Sequence, residues 1–180
     1  MPIEPQRSMG TFVFRSDLMN DLMEIYNVAF FGHRYIDNMF LVEERLEKHI
    51  RKLMQEKQDV DFLVGRNGDF DQIVSSTVKR LKRSYRDDNS YLVLVLPYGT
   101  AEYENNQEYF EEYYDEIEVS YEASKAHPKS AIQIRNREMV DRADLIICYI
   151  EEKHGGAYQT IKYAEKAGKT IINLFEEDDD

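Results

Sequence analysis

At 180 residues, with 42% hydrophobic and 32% charged content, the chain has the size of one domain and can bury a core without disulfide or metal staples. No apolar run approaches membrane-spanning length and the N-terminus lacks a basic-then-apolar signal pattern, so no membrane partner is expected and a cytoplasmic placement is. The lone cysteine, Cys148, excludes a disulfide framework and fits a reducing compartment. A formal net charge of −12 argues against broad binding along a nucleic-acid backbone.

The acidity is uneven. Residues 176–180 are all acidic, and residues 101–124 hold nine acidic side chains and no basic one. The remaining body is close to neutral, which leaves room for a local anion site.

In chain order, residues 1–24 read as an N-terminal arm. Pro2, Pro5 and Gly10 sit in a polar lead-in, Phe12 to Phe14 could add an edge strand or simply fray, and Asp17 can cap a short helix over 17–24. From residue 25 to 175 the pattern is that of a single domain. An apolar run, Ile25 to Phe31, ends in Gly32-His33-Arg34, and Met39, Val42, Leu46, Ile50 and Leu53 then recur at helical spacing. A second strand over 61–64 runs into Gly65-Arg66-Asn67-Gly68, followed by a helix with Phe70, Ile73, Val74, Thr77 and Leu81 on one face. The third strand, 91–96, has no polar alternation and is expected to be buried on both faces. The acidic insertion over about 100–124 carries Tyr103, Tyr109, Phe110, Tyr113, Tyr114 and Tyr121; it is either a lid or partner surface, or a solvated insertion whose aromatics pack on the sheet edge. A helix over 131–142, a strand over 145–150, a helix after Gly155-Gly156 closed by Gly168, and a strand over 170–174 complete the series. It points to an α/β fold: a doubly wound, mainly parallel five-stranded sheet in three layers.

In the usual open order 3-2-1-4-5, predicted strands one and four are neighbours, and ligands of such sheets bind where the order reverses. The loops leaving those strands are Gly32-His33-Arg34 and residues 151–156; the loop from Gly65 to Gly68 lies on the same edge. Glycine lets backbone approach a ligand, and Gly155-Gly156 opens a helix whose first N–H groups attract an anion. Arg34 is a phosphate clamp or a surface charge, and His33 a base or a hydrogen-bond donor. Arg135, Asn136 and Arg137 form a polar cluster within an apolar period, and arginine there can hold phosphate or carboxylate, or equally the acidic insertion. Asn67, Asp71 and Thr160 complete the candidate ligand-binding set. Cys148 reads as a small buried hydrophobe.

Phe30-Phe31-Gly32-His33-Arg34, Val64-Gly65 with Gly68 and Phe70-Asp71, Arg135-Asn136 leading to Asp141-Arg142-Ala143-Asp144, Gly155-Gly156-Ala157 and Tyr163-Ala164-Glu165-Lys166, in this order, resemble the YpsA-like branch of the SLOG superfamily, which groups the DprA and LOG Rossmann-like proteins. The resemblance covers residues 27–174 and leaves the arm, the insertion and the tail unmatched. It implies a Rossmann-like fold binding a nucleotide or a nucleotide-derived, ADP-ribose-like ligand. Gly32 and Arg34 would sit at the phosphate or ribose side with Gly155 and Gly156 opposite; Gly65, Gly68 and Asp71 would shape the second loop, and Arg135 and Asn136 would line the crevice.

Some relatives of this kind cleave N-glycosidic bonds with a carboxylate in the first turn after the glycine loop. Here that turn reads Ala157-Tyr158-Gln159-Thr160 and holds no acid, while Glu151 and Glu152 precede the glycines. A non-enzymatic sensor is therefore the leading expectation, a phosphoribohydrolase-like enzyme the alternative, and a protein-interaction module built on the tyrosine-rich insertion a third. No firm cofactor is implied beyond such a ligand, and a homo-oligomer is left open. The four histidines show no metal-ligand spacing with one another or with Cys148, and no nucleophile elbow or P-loop is present.

Overall fold

The computed structural model describes residues 24–178. The expected arm up to residue 23, with nearly all of its helix, and the last two residues of the acidic tail lie outside them.

The elements follow in the order β1 (Ile25–Gly32), α1 (Met39–Glu56), β2 (Asp59–Val64), α2 (Asp69–Ser84), β3 (Ser90–Leu96), α3 (Ala101–Asn105), α4 (Gln107–Tyr113), β4 (Glu116–Val119), α5 (Tyr121–Lys125), α6 (Pro128–Arg142), β5 (Leu145–Tyr149), α7 (Gly156–Lys166) and β6 (Ile171–Asn173), closed by a 3-10 turn, Leu174–Glu176. All strand pairs are parallel, in the order β4-β3-β2-β1-β5-β6. This is a three-layer α/β, Rossmann-like fold.

The central strands are apolar at consecutive positions because both faces of the sheet are covered. Val28, Phe30, Phe62 and Leu94 point into one core with Leu46 and Ile50 of α1 and Phe70 and Val74 of α2. Their neighbours Ala29, Phe31, Leu63 and Val93 enter the opposite core with Met139 of α6 and Ile161 of α7. Cys148 lies in this second core, where burial pushes its thiol up to about 12; it packs as a small apolar side chain.

The sheet has six strands where five were expected. The sixth, β4, lies inside the acidic insertion and pairs with β3 from Val93 opposite Glu116 to Leu96 opposite Val119. Its alternation, Glu-Ile-Glu-Val, is hidden in a long acidic background. Tertiary contacts make it a strand: Ile117 and Val119 pack against the first core, and Glu118 accepts from Arg142 Nη1 at 2.7 Å. The same Arg142 donates through Nε to Asn27 of β1.

The rest of the insertion is docked rather than solvated throughout. Phe110 and Tyr114 are buried, whereas Tyr109 and Tyr121 are exposed. Arg66, from the β2–α2 loop, donates to Glu102 through Nε and Nη2 and to the Tyr114 hydroxyl through Nη1, with its guanidinium 4.7 Å from the Phe110 ring centroid. Among the described residues no helix is long and apolar enough to cross a membrane.

Candidate functional site

Between β1 and β5 the strand order turns back on itself, and a cleft of about 510 Å³ opens there at the C-terminal ends of the strands. Four segments wall it. Gly32, His33 and Arg34 come from the loop after β1; Gly65, Asn67, Gly68 and Asp71 from the loop after β2 and the first turn of α2. Arg135 and Asn136 project from α6, and Gly155 and Gly156 from the start of α7. Thr160 is the exception. It is fully buried behind the wall, donating to the Gly156 carbonyl at 2.9 Å and accepting from Asn136 Nδ2 at 3.0 Å. It braces Asn136 and the first turn of α7 and does not face the cavity.

Two of the glycines serve a purpose other than ligand approach. A Cβ on Gly32 would lie 2.2 Å from Cγ of Phe70, so its missing side chain makes room for the first turn of α2. A Cβ on Gly68 would lie 2.5 Å from the Arg34 Cα, so this glycine lets the first two loops pack backbone to backbone. The Asp69 amide donates to the Arg34 carbonyl at 2.8 Å, and the Asp69 carboxylate accepts from Ile36 N–H at 3.0 Å. Gly155 is different: its φ of 91° suits glycine alone, and a Cβ there would meet nothing within 4 Å.

Two long helices begin at this cavity, and their charges separate them. The first turn of α2 carries Asp69 and Asp71, which already supply negative charge to its N-terminus. The first turn of α7 has no acid, and its N-cap, Gly155, has no side chain to cap it. The amides of that turn have no partner within the helix. An anion is therefore favoured at α7 and opposed at α2.

Arg135 is the charge that matches. Its side chain is only 2% exposed; Nη1 donates to the Val95 carbonyl at 2.7 Å and Nε to Asn136 Oδ1 at 2.9 Å. Both acceptors are neutral. Burial pulls the guanidinium below its usual pKa, with Asp71 partly opposing. The acidic insertion does not pair with Arg135; Arg66 takes that role through Glu102. Gly65 leaves space between the two charges, since a Cβ there would stand 2.9 Å from Arg135 Nη1 and 3.1 Å from Asp71 Oδ2. Burial raises the Asp71 carboxyl above the usual range, against the opposing effects of the Asn67 N–H at 2.7 Å and of Arg135.

His33 departs from its expected role as donor or base. Its Nε2 accepts from the backbone amides of both Glu151 and Glu152, each at 3.0 Å, and so ties the loop after β1 to the loop after β5. The Arg34 side chain is exposed at the rim and has no ion-pair partner among the described residues. Residues outside the expected set also line the cavity, among them Tyr35, Gln133, Tyr149 and His154. Tyr35, at 83% exposure, is the clearest omission: a large aromatic directly after Gly-His-Arg was the signal available. Among the described residues no group of three or more His, Cys, Asp or Glu side chains is placed to hold a metal ion.

No protein-family model matches the chain, and no curated protein is significantly similar to it in sequence. Solved structures do share its fold. DNA processing protein A (DprA) from Streptococcus pneumoniae superposes with a TM-score of 0.57 at 16% identity, over 84% of this chain and 50% of that one. DprA from Helicobacter pylori does so with a TM-score of 0.58 at 17% identity, over 81% of this chain and 63% of the other. This chain thus matches between half and two thirds of each neighbour, and the likeness is one of fold. DprA proteins belong to the SLOG superfamily.

The second neighbour corrects the expectation against nucleic acid, because the H. pylori protein is described by its mode of binding single-stranded DNA. Net charge was the wrong test. It sums the whole surface, whereas a strand is held by a local groove with its own charge and aromatic platforms.

Proposed function

We propose that the cleft binds a phosphorylated nucleoside, either a free nucleotide or an ADP-ribose-like derivative, and that the chain is a binding or sensing module of the YpsA-like branch of the SLOG superfamily. The observation that carries this reading is the pairing of an uncapped, acid-free α7 N-terminus with the buried, carboxylate-free coordination of Arg135 in one cavity. Backbone N–H groups and a helix dipole attract phosphate, and a buried guanidinium binds it bidentately. Arg34 supplies a second cation at the rim, and Tyr35 and Tyr149 offer rings for a base.

Thermal denaturation with nucleoside monophosphates, NAD, ADP-ribose and a short single-stranded oligonucleotide tests this. A midpoint that rises with ligand concentration is expected for at least one of the small ligands. No shift with any of them, or a shift with the oligonucleotide alone, would end the proposal.

Gly156→Asp is the matched control. Gly156 is not in the left-handed region, and a Cβ there would meet only Gln133 Nε2, the far end of a flexible side chain, at 3.0 Å. A carboxylate in the first turn stabilises a helix by about 0.3–1 kcal/mol, so the fold is kept. The new charge stands where phosphate would bind, and calorimetry should show affinity reduced by about 10- to 150-fold, the scale of one lost charge-assisted contact.

A second reading follows from Asp71. It is a carboxylate at the cavity wall, in the first turn of the helix after a glycine loop, with its pKa raised. The environment suits a group that exchanges protons during N-glycosidic hydrolysis. Release of free base from a nucleoside monophosphate, lost in Asp71→Asn, would favour the enzyme over the sensor.

A further inference from the structure

We infer that His33 is a proton-operated latch on the cleft: neutral, it holds the β5–α7 loop in place through the amides of Glu151 and Glu152, and protonated, it releases them. The inference rests on the cleft being the ligand site, and it adds how that site is regulated.

The geometry leaves the ring one way to serve. A neutral imidazole has one lone pair, and here Nε2 points it at two consecutive backbone N–H groups, so the proton must reside on Nδ1. Successive N–H groups turned inward form a natural anion nest. In this molecule a side chain from the opposite wall occupies that nest and thereby joins β1 to the loop that leads into the α7 N-terminus. Protonation would place a third N–H against the two amides. Both hydrogen bonds would be lost together, and with them the tie between the walls.

The titratable groups facing the ring are Glu151, Glu152 and His154, all from the loop after β5; Arg34 adjoins it on its own loop. The two carboxylates favour the imidazolium, whereas desolvation, the largest influence, and His154 disfavour it, and the balance lies below the ordinary histidine value. Desolvation therefore keeps the latch closed near neutral pH. Because the unfolded chain takes up this proton first, His33 contributes full stability above the ordinary histidine pKa and loses it as pH falls through that value towards the folded-state one.

The effect on binding has a sign that separates the latch from simple electrostatics. An imidazolium beside an anion site should tighten binding in acid by attraction, whereas an opened latch should weaken it. ADP-ribose is the probe, since its pyrophosphate does not change charge over the range used. As pH falls below the ordinary histidine value and the ring takes up its proton, wild-type affinity is expected to fall, approaching about tenfold when the ring is fully charged, the scale of two lost neutral hydrogen bonds. In His33→Gln, whose amide oxygen accepts without titrating, the profile should flatten and part of the affinity lost in His33→Phe should return. Affinity that rises in acid, or a slope unchanged in His33→Gln, would overturn the inference.

Nitrogen-15 NMR of the full chain decides the matter even if ADP-ribose does not bind, which would count against the ligand reading alone. Long-range proton–nitrogen correlations should show His33 as the Nδ1–H tautomer, and the Glu151 and Glu152 amides should shift with the His33 titration. An Nε2–H tautomer, or amides indifferent to that titration, would sink the latch.

Discussion

Arg135→Met is expected to leave a folded protein that no longer gains stability from the ligand. The wild-type guanidinium is almost wholly buried, and its two hydrogen bonds go to a backbone carbonyl and to the amide of Asn136. A buried cation without a bonded carboxylate is costly to the empty fold, and perturbed charges of this kind cluster at functional sites. Removing one partner of a buried charge pair typically costs about 3–5 kcal/mol, which corresponds to a loss of binding of at least about 100-fold. The apolar Met stem should fill most of the space of the arginine stem. The fold leaves two buried acceptors unpaired at about 1–3 kcal/mol each but is relieved of the buried charge, so a modestly lowered denaturation midpoint is expected with the protein still folded. Calorimetry against ADP-ribose, with thermal unfolding of both empty proteins, measures the two effects separately. Undiminished affinity in a folded Arg135→Met would remove the guanidinium from the site.

Gly32→Ala is expected to have the opposite profile, with stability lost first. The added methyl would fall 2.2 to 2.6 Å from three atoms of Phe70, a ring that is itself fully buried. Neither partner is free to yield: Gly32 is paired to Tyr149 across the sheet, and Phe70 is packed in the core beneath α2. Overpacking of this kind costs about 1–3 kcal/mol and sometimes more, which for a chain of this size lowers the midpoint by about 2–12 °C. Because Asp69 and Asp71 flank Phe70, a shift of α2 would also disturb the second wall of the cleft. Combining Gly32→Ala with Phe70→Leu should restore part of the lost stability, as the smaller side chain gives the methyl room. An unchanged midpoint for Gly32→Ala alone would show that the contact is not close.

These two residues show how differently the site was legible. Gly32 followed an apolar run and so read as a turn at the end of a strand, correctly in position. Its reason lay in Phe70, 38 positions away, which no local pattern could reveal. Arg135 stood out as a charge within an apolar helical period, yet its neutral partners come from β3 and from the next residue. Thr160 belongs to the candidate set, but helical rotation turns it inward onto Asn136. His33 shared a loop with Arg34, and only the approach of the loop after β5 made its ring an acceptor.

By itself the sequence determined the alternation of strands and helices, because two-sided burial writes unbroken apolar runs for central strands and a 3.6-residue period for the helices that cover them. Those signals are local and need no knowledge of partners. Tertiary structure alone decided whether Glu116–Val119 would be a strand, since an edge strand among carboxylates forms only where β3 supplies its hydrogen bonds and Arg142 neutralises Glu118. It also decided which helix terminus is open to an anion and which side chains meet across the cleft. Such properties belong to pairs of residues distant in the chain, and they come into being only when the sheet brings the loop ends together.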